Sequence, residues 1–214
     1  MAEKVERIVR QRICESVYWK TACYSINAAQ ICDRAADLTA IGGLINTKPT
    51  DFLCLVYKLV LISPNVDIIL EMLRQPYFKY LTALAVFYIR LCYNPMLVYQ
   101  LLEPLYADYR KLRLIKKSGE QQILCMDEYI DRILRMERFL DLALPVMPAR
   151  RKLEQIGLQR RVSFLPADLM QESGVNTPQS PESMWDSVVS PRTSPESSIK
   201  PGMEDPEEYS RDAL

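Results

Sequence analysis

The residues able to do chemistry in this 214-residue chain are notable first for a gap, since it contains no histidine. Ser-His and Cys-His nucleophiles and imidazole-bound metals all need a ring that exchanges a proton near neutrality, so those sites are excluded together. Six cysteines (Cys14, Cys23, Cys32, Cys54, Cys92 and Cys125) form no C-x-x-C pair and sit among apolar residues, where thiols pack as small hydrophobes. The chain has six glycines and neither G-x-G-x-x-G nor G-x-x-x-x-G-K-[ST], so no phosphate-cradling loop can be drawn. Asp127 and Glu128 are adjacent at a helix start, where carboxylates favour the positive end of the dipole. No catalytic residue, cofactor or metal is predicted, and the chain does not read as an enzyme.

What remains is recognition chemistry. Glu103, Tyr106, Asp108, Tyr109 and Arg110 form a run dense in tyrosine and charge, the predicted partner-binding segment. Lys111, Arg113, Lys116 and Lys117, followed later by Arg150, Arg151, Lys152 and Arg160-Arg161, are either solvated faces or phosphate contacts to RNA. Tyr106 and Tyr109 would stack on bases in the second case, or belong with Leu102, Leu105 and Leu112 to a stripe facing the core. Tyr18-Trp19 is either core or an anchor for a partner.

Charge divides these residues into two regions. The chain carries 27 basic and 27 acidic side chains, but residues 1–172 hold 24 and 19 of them and residues 173–214 hold 3 and 8. Neutrality is therefore a cancellation between +5 and −5. The last 42 residues include six prolines and nine serines and offer too little apolar surface to offset ordering entropy. A folded domain over 1–165 and a disordered acidic tail over 166–214 are expected. Thr177, Ser180, Ser190 and Ser194 each precede a proline, as targets of proline-directed kinases do, or lie in a plain spacer. Stretches free of charge reach 12 residues, short of the roughly 18 a membrane helix needs. The N-terminus lacks a signal-like apolar core.

The elements that must position these side chains read as helices. Val5, Ile8, Val9 and Ile13 share one face. Asn27 caps a second helix running to Leu38, and Gly42-Gly43 makes a turn. Thr50 caps a buried helix over Phe52 to Ile62. Ser63-Pro64, Pro76 and Asn94-Pro95 mark three further starts, and Pro104 breaks the helix begun at Pro95. Asp127 to Leu144 reads as one amphipathic helix, supported by the pairs Glu128/Arg132 and Asp131/Arg135. Residues 113–124, with Lys116-Lys117-Ser118-Gly119-Glu120 in the middle, are a short β-hairpin or a loop between helices. The fold class is all-α, a single multi-helix domain with at most this one hairpin.

Several blocks carry a family resemblance: Arg12-Ile13-Cys14-Glu15-Ser16-Val17-Tyr18-Trp19-Lys20, Gly42-Gly43, Lys48-Pro49-Thr50, Phe52-Leu53-Cys54-Leu55, Phe78-Lys79-Tyr80-Leu81 and Tyr88-Ile89-Arg90-Leu91. The most specific is Leu102-Glu103-Pro104-Leu105-Tyr106-Ala107-Asp108-Tyr109-Arg110-Lys111, followed by Met126-Asp127-Glu128-Tyr129-Ile130-Asp131 and Leu144-Pro145. In this order the chain resembles the pre-mRNA-splicing factor 38 family from about residue 4 to 150. The resemblance implies a helical, non-enzymatic scaffold in the nucleus. It would join the precatalytic spliceosome with or within the tri-snRNP and be needed for catalytic activation. The implied partners are a microfibrillar-associated-protein homologue and a small zinc-finger splicing protein. The tail departs from the arginine/serine-rich extension of animal members, and Leu44-Ile45-Asn46-Thr47 is shorter than the family loop.

Overall fold

The computed structural model describes residues 4–161. Helix α1 (Arg7–Glu15) buries Val9 and Ile13 with the preceding Val5, and a π-helical turn over Trp19–Cys23 follows. Ile8, placed on the buried face by periodicity, is 65% exposed; a core contacting only one narrow stripe of α1 leaves it out. Asn27 caps α2 (Ala28–Ala36) through a reciprocal pair with Gln30, which satisfies two backbone donors at once. Short strands β1 (Ile41–Gly42), β2 (Leu44–Ile45) and β3 (Lys48–Pro49) come next. Asn46 and Thr47 adopt positive φ, so the shortened loop is a tight two-residue turn joining β2 to β3.

Thr50 caps α3 (Asp51–Ile62) by accepting the Leu53 N–H. The helix expected at Ser63-Pro64 begins instead at Val66, as α4 (Val66–Leu73). Ser63 closes α3 in the left-handed conformation, with its N–H on the Leu59 carbonyl, so Pro64 lies between two helices. Likewise α5 (Lys79–Cys92) starts three residues beyond Pro76. The Gln75 and Pro76 carbonyls are taken by side chains, Thr82 and Arg110, and not by helical amides. α6 (Pro95–Leu102) has Asn94 as cap and gives way to a 3-10 turn over Glu103–Ala107, where Pro104 stops the α-helical ladder.

The hairpin is present: β4 (Lys111–Ile115) pairs antiparallel with β5 (Gln121–Cys125), with Gly119 at positive φ in the turn. Parallel addition of β1 beside β4 makes a three-stranded sheet of order β1-β4-β5. Thus a mostly helical domain carries more strand than the single hairpin expected. The predicted helix Asp127 to Leu144 is corrected most. α7 covers Met126–Arg135 only, and β6 (Arg138–Phe139) and β7 (Leu142–Ala143) form a hairpin turning at Leu140 and Asp141, both at positive φ. Of the two ion pairs, Asp131 with Arg135 is present at 2.8 Å. α8 (Arg150–Ile156) ends the regular structure.

The core is built around α5, whose residues Leu81 through Leu91 are all buried, and which packs against α2, α3, α4, α6 and α7. Each buried aliphatic side chain there stabilises the fold by roughly 1.5–3 kcal/mol. Trp19 belongs to this core and packs on Tyr57 at 5.3 Å between ring centroids. Cys23 and Cys54 are buried, while Cys14 is exposed and escapes the expected packing. No helix among the described residues is long and apolar enough to cross a membrane. The tail boundary at 165/166 and the Ser/Thr-Pro sites Thr177, Ser180, Ser190 and Ser194 lie outside the described residues.

Candidate interaction site

The 3-10 turn and the entry into β4 hold the predicted partner segment, and its side chains go to different tasks. Glu103 is buried and takes a bidentate pair from Arg150, at 2.6 and 2.9 Å. Arg150 also pairs with Glu154, and the Glu103 hydrogen bond raises its pKa. Tyr106 is half-buried. It donates to Asp131 at 3.2 Å under the Arg161 guanidinium, 4.4 Å from the ring centre; burial first, then the Asp131 charge, pushes its hydroxyl up to about 12.

Asp108 and Arg110 form a close ion pair. The same guanidinium reaches the Gln75 and Pro76 carbonyls at 2.9 Å each and the Thr82 hydroxyl at 3.3 Å. Arg110 is thus a staple between the hairpin and the loop ahead of α5. Of the five predicted contact residues, Tyr109 alone is exposed, at 69%.

That stapled loop is one wall of an apolar groove of about 360 Å³, lined by Cys32 and Ala36 of α2, Ile68 and Met72 of α4, and Phe78 and Leu81 at the start of α5. Asp33 and Glu71 stand at its edge. Sequence reasoning missed this groove, because the exposure of Ile68 and Phe78 is set by how α2, α4 and α5 pack and leaves no mark in the sequence. A second cavity, about 390 Å³, is more polar, with Arg34, Asp37 and Asp51 in its lining; burial raises the Asp51 pKa.

The basic clusters are not one surface of free charge. Arg150 is held by Glu103 and Glu154, Lys116 by Glu120 at 3.0 Å, and Lys117 by Asp141 at 2.5 Å. Lys111, Arg113, Arg151 and Lys152 are exposed and pair with no carboxylate among the described residues. A cation missed by the sequence reading is Arg90, buried in α5, which donates to the Ile133 carbonyl at 3.0 Å and the Pro145 carbonyl at 2.6 Å. It closes the C-terminal end of α7. Among the described residues no cluster of His, Cys, Asp or Glu could hold a metal.

A mostly helical domain with an apolar groove between α2, α4 and α5 agrees with what the chain is similar to. The model of the PRP38 family matches residues 2–157. The chain belongs to the PRP38 family. Pre-mRNA-splicing factor 38 of Schizosaccharomyces pombe is 44% identical over 160 residues, which are 74% of this PRP38-family chain and 76% of that protein. The Drosophila melanogaster pre-mRNA-splicing factor 38 is 43% identical over 171 residues (78% of this chain, 52% of the relative). Pre-mRNA-splicing factor 38A of Homo sapiens is 42% identical over 168 residues (77% and 54%). This PRP38-family chain therefore spans about half the length of the animal relatives it matches. Its fold matches a chain in the crystal structure of the Snu23–Prp38–MFAP1(217–258) complex of Chaetomium thermophilum. The TM-score is 0.75 at 42% identity, over 80% of this chain and 92% of that one. These relatives are pre-mRNA-splicing factors.

Proposed function

We propose that this chain is a non-enzymatic adaptor that acts in the nucleus during activation of the precatalytic spliceosome, joining with or as part of the tri-snRNP. Its partners are a microfibrillar-associated-protein homologue and a zinc-finger splicing protein. One observation carries the reading: the likeness to a chain crystallised with Snu23 and MFAP1, over nearly all of that chain's length. The apolar groove between α2, α4 and α5 takes the apolar face of a partner helix, and Asp33 and Glu71 face basic residues on its flanks. Tyr109 supplies an aromatic contact from the 103–110 segment, while Glu103, Tyr106, Asp108 and Arg110 hold the surface in shape.

Affinity purification of the tagged chain from a splicing-competent extract tests the reading. Small nuclear RNAs and splicing proteins are the expected yield, and recovery of neither rejects the assignment. Ile68→Glu and Phe78→Glu, both at partly exposed positions, should each weaken capture of a groove-bound partner by about 2 kcal/mol, roughly thirtyfold, with the thermal midpoint unchanged.

Direct RNA contact is the second reading, supported by the four exposed cations Lys111, Arg113, Arg151 and Lys152. It requires affinity that falls steeply with salt. Absence of an RNA shift at low salt rejects it.

A further inference from the structure

The two edges of the three-stranded sheet are treated differently by the chain. On the β4 side outward backbone groups are taken up by neighbouring elements. The Tyr80 hydroxyl accepts the Arg113 N–H at 3.3 Å, the Lys79 ammonium donates to the Lys111 carbonyl at 2.7 Å, and β1 pairs with Leu114 and Ile115. On the β5 side the register settles which groups face away. The Lys116 N–H meets the Glu120 carbonyl and the Met126 N–H meets the Arg110 carbonyl, so hydrogen-bonded pairs alternate from those ends and fall at Leu114/Gln122 and Leu112/Leu124. Gln121, Ile123 and Cys125 therefore point their N–H groups away from β4. With the carbonyls of Gln121 and Ile123, these donors make no hydrogen bond to any described residue.

Free edges are normally guarded by charge, proline or a bulge on the edge strand itself. β5 reads Gln-Gln-Ile-Leu-Cys and has none of the three, its register with β4 is unbroken, and Ile123 is 69% exposed. Arg113 stands directly across from Ile123, and Lys111 across from Cys125, on that same exposed face. A strand laid along β5 would place alternate side chains beside Ile123, within reach of these two unpaired cations.

The geometry points to β5 as a docking edge for an extended segment of a partner protein that presents, on one face of its strand, an apolar residue with carboxylates two positions away on either side. Backbone groups of Gln121, Ile123 and Cys125 supply the ladder, Ile123 packs against an apolar neighbour, and Arg113 and Lys111 select carboxylates. This surface is separate from the α2/α4/α5 groove. A second copy of the chain is disfavoured as occupant because it would bring a second Lys111/Arg113 pair onto the same face.

Amide hydrogen exchange on the full chain tests this, with a synthetic peptide of the repeat Glu-Thr-Val-Thr, which sets glutamate and valine on one face, as the glutamate probe and one of the repeat Lys-Thr-Val-Thr as the lysine control. With the glutamate peptide, exchange of the Gln121, Ile123 and Cys125 amides should slow by about tenfold or more, while the lysine peptide leaves them unchanged. Ile123→Pro removes only the outward donor and keeps the bonds to β4; it should abolish the slowing. Ile123→Glu should do the same by charge repulsion, and serves alone if the proline variant misfolds. No slowing with either peptide, or equal slowing with both, overturns the proposal. So does protection already present in the full chain that vanishes when residues 173–214 are removed, which would make the chain's own C-terminal segment the occupant. Protection that grows with protein concentration would assign the edge to a second copy, and equally overturns it.

Discussion

Arg110 donates to Asp108, to two backbone carbonyls of the 75–76 loop and to Thr82, so its substitution tests position, whereas Tyr109 beside it tests contact. Arg110→Met should lower stability by about 2 kcal/mol in urea unfolding, because two carbonyls and a carboxylate lose charge-assisted partners. The groove wall loosens with it, so partner affinity falls too. Tyr109→Ala should leave stability within about 0.5 kcal/mol and lower partner affinity alone. Equal loss of stability in both variants would reject this division. Thiol reactivity separates in the same way: Cys14 is exposed, whereas burial pushes Cys54 up to about 12 and Cys23 up to about 11. Iodoacetamide at pH 8 should label Cys14 in the native protein and reach Cys54 and Cys23 only after unfolding. Mass spectrometry of tryptic peptides reads the order.

At the scale of elements, the β6–β7 hairpin replaces the last two turns predicted for α7, and the reason lies in what its turn touches. Asp141 accepts the Leu44 N–H at 2.8 Å and pairs with Lys117, which ties the hairpin to β2 and to the β4–β5 turn. Phe139 packs against Tyr129 and Phe87, with centroids 5.8 and 6.4 Å away. Gly43 lies against this turn so closely that a Cβ there would sit 2.5 Å from the Asp141 carboxylate and 2.6 Å from the Leu140 carbonyl oxygen. Gly43→Ala should therefore cost about 2 kcal/mol or more, far beyond a helix-propensity change. An unchanged unfolding midpoint would show that the hairpin is free to move aside.

For the molecule as a whole, the many buried acids with raised pKa set an alkaline limit. Burial lifts Cys54 from 9.0 to about 12, and Tyr18 and Tyr106 from 10.0 to about 12, and it also raises Tyr57, Tyr93 and Tyr99. A group raised in this way keeps its proton when folded and loses it when unfolded at pH between the two values. The unfolded state then binds fewer protons, and stability falls as pH rises. Stability should decline from about pH 9 toward pH 12, as followed by urea midpoints at successive pH. A midpoint constant up to pH 11 would contradict the burial of these groups.

The sequence by itself determined the helices whose signals are local: Asn27, Thr50 and Asn94 cap where they stand because a side-chain oxygen needs only an amide three residues on. It also determined the absence of imidazole chemistry, since that depends on composition alone, and the ordered blocks that place the chain in its family. Tertiary structure decided what depends on distant partners. Leu140 and Leu144 fit a helical period as well as they fit a hairpin, and the contacts of Asp141 with Leu44 and Lys117, 97 and 24 residues away in sequence, accompany the hairpin. Arg110 and Glu103 looked like surface charge until Gln75, Pro76 and Arg150 were brought beside them. The groove and the bare β5 edge exist only in the assembled fold, because no stretch of sequence records which backbone groups and apolar faces its neighbours leave uncovered.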